Sequence, residues 1–135
     1  MSVLRTISVA VAASLVASPG GALPITASER ALAFAACAGR YSAEVEHDWL
    51  LAPSESAATE AARDAFLALL DAVEPDAIQR GLPTQALMAR RIEEKAAQTA
   101  LLHRAAFHLD PLAADAARSA AGRRIADCGA WLLGA

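Results

Sequence analysis

The sequence contains no asparagine and a single lysine, Lys95, among 12 basic residues, so arginine carries nearly all the positive charge. That skew is the composition of a GC-rich coding sequence. Aromatic residues are equally scarce, at 4% of 135 residues, and no apolar run reaches the roughly 20 residues needed to cross a bilayer. A formal net charge of −3 and a pI near 5.5 argue against a nucleic-acid binder, which needs a concentrated basic surface. Also missing are a Gly-x-Ser-x-Gly elbow, a His-Glu-x-x-His motif, a phosphate-cradling glycine loop and a Cys-x-x-Cys-His haem attachment. The chain is therefore read as a non-enzyme with no expected cofactor.

Alanine fills the space that bulkier residues leave. It supplies 37 residues, so the 56% hydrophobic fraction overstates the large side chains available and points to one thin-cored domain of closely approaching helices.

Residues 1–27 read as an address. Arg5 supplies one positive charge, Ile7 to Val16 form a short apolar stretch, and Pro19-Gly20-Gly21 breaks any helix, which is the layout of a secretory signal peptide. Cleavage is expected after Ala22 or after Ala27. The remainder, 28–135, is expected to be a single helical domain with no membrane span, located in the periplasm or secreted.

Four helices follow from apolar spacing and punctuation. The first starts at Ser28 and repeats Phe34, Ala38, Tyr41, Val45 and Trp49 every three or four residues. The second is capped by Ser54 or Ser56, carries Ala62, Phe66, Leu69, Leu70 and Val73, and closes at Glu74-Pro75, followed by a short helical turn to Arg80 that stops at Gly81. Pro83-Thr84 opens the third, whose apolar face is read as Leu87, Met88, Ile92, Ala96, Thr99, Leu102 and Ala106. Asp110-Pro111 caps and opens the fourth, which runs to about Leu133. Short connections make the fold class all-α, an up-down-up-down four-helix bundle with the first helix beside the fourth. Met88, Phe66, Trp49 and Trp131 are read as core or boundary residues.

Cys37 and Cys128 are the only cysteines, an even number in a chain that carries an export signal, and oxidising compartments favour their pairing. In an antiparallel arrangement, Cys37 lies roughly 14 Å from the start of the first helix and Cys128 roughly 8 Å from the end of the fourth, so both fall at one end. Gly39 and the neighbouring alanines permit the close approach that a disulfide needs. Two buried free thiols are the alternative. A third reading compares Phe34-Ala35-Ala36-Cys37 with a lipobox, though Glu29 and Arg30 interrupt the apolar stretch that should precede one.

Glu44-Val45-Glu46-His47 contains Glu-x-x-His, the spacing that puts a carboxylate and an imidazole on one helical face. Parallel first and third helices carry His47 and His103 to similar heights, with His108 near the same end. Glu44, His47, His103 and His108 are thus candidate ligands for zinc, copper or iron, set against the plainer reading of exposed or carboxylate-paired histidines. The second Glu-x-x-His of a di-iron site is missing.

Charge is uneven. Residues 28–74 hold nine acidic and three basic residues, and from Pro75 onward there are six acidic and eight basic. Acidic helices pairing with basic ones accounts for this, with an anion patch at Arg90-Arg91 or Arg123-Arg124 as the alternative.

The segment Cys37-Ala38-Gly39-Arg40-Tyr41-Ser42-Ala43-Glu44-Val45-Glu46-His47-Asp48-Trp49-Leu50 resembles one in small secreted helical proteins of alphaproteobacteria that carry no assigned activity. The resemblance implies an export signal, a helical fold and paired cysteines, including the late Cys128. The expected role is an interaction or structural module that contacts a protein or envelope component, with a small metal-binding protein as the alternative.

Overall fold

Each helix begins and ends where the sequence supplies a stop. The computed structural model describes residues 26–133, which form α1 (Ala27–Leu51), α2 (Ser56–Gln79), α3 (Thr84–Phe107) and α4 (Pro111–Leu133), with one turn of 3-10 helix at Pro53–Glu55. No strand occurs among the described residues. Residues 1–25 of the signal-like segment, with the cleavage position at Ala22, lie outside them, and the alternative position after Ala27 falls in the first turn of α1.

The helix starts differ from expectation in two places. Thr26, not Ser28, caps α1: its hydroxyl accepts from the Glu29 amide at 3.1 Å while the Glu29 carboxylate accepts from the Thr26 amide at 3.0 Å, a reciprocal capping box. Neither Ser54 nor Ser56 caps α2, because the 3-10 turn moves the start to Ser56, whose hydroxyl donates to the Pro53 carbonyl instead. For α4 the reading holds, with the Asp110 carboxylate accepting from the Leu112 amide at 3.0 Å.

Pro75 does not end α2, which runs through it to Gln79. The proline removes one amide donor, but Ala77 beyond it is fully buried, so packing carries the helix past the gap. The stop comes at Gly81, whose φ of 98° is open to glycine and strained for other residues. There the Gly81 amide donates to the Ile78 carbonyl and the Leu82 amide to the Ala77 carbonyl, closing a Schellman motif.

The bundle is built around α1. Its middle is buried on nearly every side, with Phe34, Ala35, Cys37, Ala38, Tyr41 and Val45 all in the core. It packs along antiparallel α2 through Phe34 and Tyr41 on Phe66, with ring centroids 6.3 and 5.7 Å apart. It also packs along parallel α3 in a constant register, since Arg40 meets Glu94 and Glu44 meets Gln98, both 54 residues on. Gly39 makes that contact possible: a Cβ there would lie 2.3 Å from the Arg91 carbonyl oxygen.

The first and fourth helices do meet, but only over a short stretch, and α4 lies mainly against α3. Its buried positions are Ala114, Ala117, Ala121 and Cys128, so small side chains give this seam little apolar area. The Cys37–Cys128 disulfide, with Cα atoms 5.6 Å apart, ties α4 to the central helix. It places Cys37 in mid-helix and bonded, unlike either the free-thiol or the lipobox reading. Among the described residues no helix is long and apolar enough to cross a membrane.

Candidate functional site

The predicted ligand residues do not converge. Glu44 and His47 lie on the side of α3 that faces α4, in a small cleft with Arg118 and Ile125, and Glu44 accepts a hydrogen bond from Gln98 Nε2 at 2.7 Å. His103 and His108 line a different groove on the far side of α3, where His103 rests on Phe107 with ring centroids 5.0 Å apart. His108 Nδ1 accepts from the Asp110 amide at 3.1 Å. Height along the bundle matches as expected, but azimuth does not: α3 stands between the two pairs. Among the described residues no three His, Cys, Asp or Glu side chains gather to hold a metal ion.

What does converge near Cys128 is an ionic cluster on Glu94. Its carboxylate accepts hydrogen bonds from Arg124 at 2.6 Å and from Arg40 at 2.8 Å and forms an ion pair with Arg90 at 2.8 Å, so one acid on α3 joins α1 and α4. Arg40 also donates to the Arg124 carbonyl at 3.0 Å, and Arg124 donates to Gln98 Oε1 at 2.9 Å. Gln98, fully buried, completes the network by donating to the Ala121 carbonyl at 3.2 Å. Every buried side-chain polar atom among the described residues has a partner, which is what makes such a cluster tolerable in the interior.

Two carboxyls respond in opposite directions. Burial alone would raise the Glu94 carboxyl, but the Arg40 hydrogen bond and the charges of Arg40, Arg90 and Arg124 outweigh it and hold the group below its ordinary value. Burial pushes Glu44 above its ordinary value, and the Gln98 hydrogen bond only partly offsets this. Arg90 and Arg124 therefore spend their charge on Glu94, and neither arginine pair acts as an open anion patch. The expected pairing of acid-rich with base-rich helices is met by Lys95 of α3 on Glu46 of α1, whereas in the Glu94 cluster the sense is reversed, with the acid on α3 and Arg40 on α1.

The chemistry left to the surface is apolar and lies on α3. Helix α3 buries Leu87, Glu94 and Gln98, whereas Met88, Ile92 and Phe107 are exposed. The expected core face is thus corrected for Met88, Ile92, Ala96, Thr99 and Ala106, all of which face solvent. Trp49 is likewise outside, 53% exposed, with its indole donating to Glu60 at 2.8 Å, while Phe66 is buried and Trp131 packs edge-on to Phe34.

Because α2 and α3 both pack on α1 and scarcely on each other, they leave a valley above it. One stretch of about 500 Å³ lies between Trp49, Leu67, Met88 and Ile92. A second of about 890 Å³ continues from Ile92 past Ala96 and His103 to Phe107. Both share Glu46, Ile92 and Lys95, so they form one groove along α3. Leu50 and Leu51 at the end of α1, Leu109 in the connection after α3 and Leu112 in the first turn of α4 are also exposed. Sequence periodicity located this stripe but assigned it to the core, since spacing reports a face and not what covers it.

No protein-family model, curated protein or solved structure matches the chain.

Proposed function

We propose that this protein is an exported, non-enzymatic interaction module that docks a partner in the groove along α3. The observation that carries the reading is the outward apolar face of α3, with Ile92 59% and Phe107 60% exposed. Met88, Trp49, Leu50, Leu51, Leu109 and Leu112 are exposed as well, and concentrations of exposed apolar side chains mark interaction sites.

Export is supported by the disulfide, which belongs to oxidising compartments, and by the signal-like segment at 1–27. The resemblance to small secreted helical proteins of alphaproteobacteria points the same way. The non-enzymatic reading is supported by where the polar groups are: Glu94 and Gln98 are committed to bonds between helices, and in the groove Glu46 is paired with Lys95, His103 rests on Phe107 and His108 accepts from the Asp110 amide.

A photoreactive amino acid at position 107, compared with one at position 68 on the exposed surface of α2, tests both parts. In intact cells of the native host, position 107 should give a discrete cross-linked product in the envelope or secreted fraction, and position 68 should not. Equal yields from the two positions, or a product confined to the cytoplasm, would count against the proposal.

A further inference from the structure

The occupant of the groove can be narrowed from its shape and charge, an inference that rests on the docking reading above. Met88, Ile92, Ala96, Thr99, His103 and Phe107 recur every three or four residues along α3, the spacing of one helix face prepared for another. This stripe is roughly 28 Å long, the length of about five helical turns. Around Met88 and Ile92 the groove has α2 and α3 as walls and α1 as floor, and from Ile92 to Phe107 it continues as an open face of α3 edged by Glu46, so a helix can lie along it side-on.

The rim selects the sign. Lys95 pairs with Glu46 at 2.5 Å and Arg63 with Asp64 at 2.9 Å, so these four cancel. Arg91 and Arg104 also line the groove, and no carboxylate among the described residues pairs with either. The groove is therefore locally cationic on a chain whose formal net charge is −3. A second copy docking groove to groove about a two-fold axis would bring like charges together, which disfavours self-association by this surface.

We propose that the groove receives an amphipathic helix of a different protein, about five turns long, whose apolar stripe is flanked by aspartate and glutamate. Acidic flanks would meet Arg91 and Arg104 while the apolar stripe covers Ile92, Met88 and Phe107. Electrostatic complementarity of this kind governs partner choice and association rate, and it weakens as salt is added.

The test uses two synthetic 20-residue helical peptides, identical in their leucine stripe and flanked in one by glutamate and in the other by lysine. Binding to the oxidised protein is followed by anisotropy of a peptide-borne dye, with thermal denaturation confirming that each variant is folded. The glutamate peptide should bind saturably and at least tenfold more tightly than the lysine peptide, and should weaken with salt. Ile92→Asp, a change at an exposed side chain, should abolish binding, and joint replacement of Arg91 and Arg104 by glutamate should reverse the preference. If that double variant does not fold, the salt dependence of the unaltered protein decides the same point.

Equal or tighter binding of the lysine peptide overturns the proposal, as does failure of both peptides. A dimer that Ile92→Asp dissociates overturns it in favour of a second copy. Cross-linking from position 107 that is lost in Ile92→Asp, with no binding of the glutamate peptide, would sink the acidic helix and leave the docking surface standing. Loss of both results removes the docking reading as well.

Discussion

Ile92 and Glu94 stand two residues apart on α3, yet the isoleucine is 59% exposed and the glutamate 6% exposed. The helix turns its charge inward and its apolar side chain outward. The reversal has a definite origin: the interior face of α3 is held by three arginines from α1, α3 and α4, which offset the cost of the buried carboxylate, while none of the described residues covers Ile92 on the outer face. The stabilising cluster and the proposed docking surface thereby fall on opposite sides of one helix.

Removing the Glu94 carboxylate leaves Arg40 and Arg124 largely buried without their shared partner. Glu94→Ala should therefore destabilise the fold by roughly 3–5 kcal/mol, read as a lowered denaturation midpoint in urea. Glu94→Gln keeps an acceptor and should cost less. Because the folded-state value of Glu94 is depressed, its contribution is full above the ordinary carboxylate range and is lost as pH falls through the lowered value. Acid titration of the unaltered protein should show that loss, and Glu94→Gln should flatten it.

Glu44 runs the other way. Its folded-state value is raised by burial, so the stability it lends is present below the ordinary carboxylate range and lost as pH rises through the raised value. Glu44→Gln preserves an acceptor for Gln98 and removes the buried charge. It should raise the melting temperature by a few degrees near neutral pH, an advantage that shrinks in acid. A lower melting temperature at both pH values would contradict this account of Glu44.

The disulfide closes a sequence separation of 91 residues and anchors a helix whose packing seam is largely alanine. In the chain-entropy picture such a loop is worth about 4.6 kcal/mol. Replacing Cys37 and Cys128 together by serine should lower the melting temperature by about 15 °C or more, and reductant should do the same to the unaltered protein once the buried bond is reached. Identical melting curves with and without the bond would show that α4 is held by the Glu94 cluster alone.

Gly39→Ala should be severe for its size. The added methyl would sit 2.3 Å from the Arg91 carbonyl oxygen and 3.2 Å from the Lys95 amide nitrogen, both backbone atoms that cannot swing aside. Helices α1 and α3 must separate, at a cost of about 2–3 kcal/mol. Gly122→Ala, with open space about its Cβ, is the control and should be near neutral.

Much of the fold was legible because local signals agreed. Asp110-Pro111 and Pro83-Thr84 opened helices where read, Phe34, Tyr41, Phe66 and Leu70 fell in the core, and the cysteines met. The errors share a cause. Proline at position 75 marks a local stop, but the buried Ala77 beyond it keeps α2 going, and helix rise fixes the heights of Glu44, His47, His103 and His108 without their angle about α3.

Sequence by itself determined the helical periods, most of their ends and the presence of two thiols suited to pairing, because these depend on residues within a few positions or on composition. Only the tertiary structure decided which side of α3 is interior. An apolar stripe and a charged stripe on one helix are both compatible with burial, and the choice falls to the arginines of α1 and α4, which lie 54 and 30 residues from Glu94 along the chain and beside it in space.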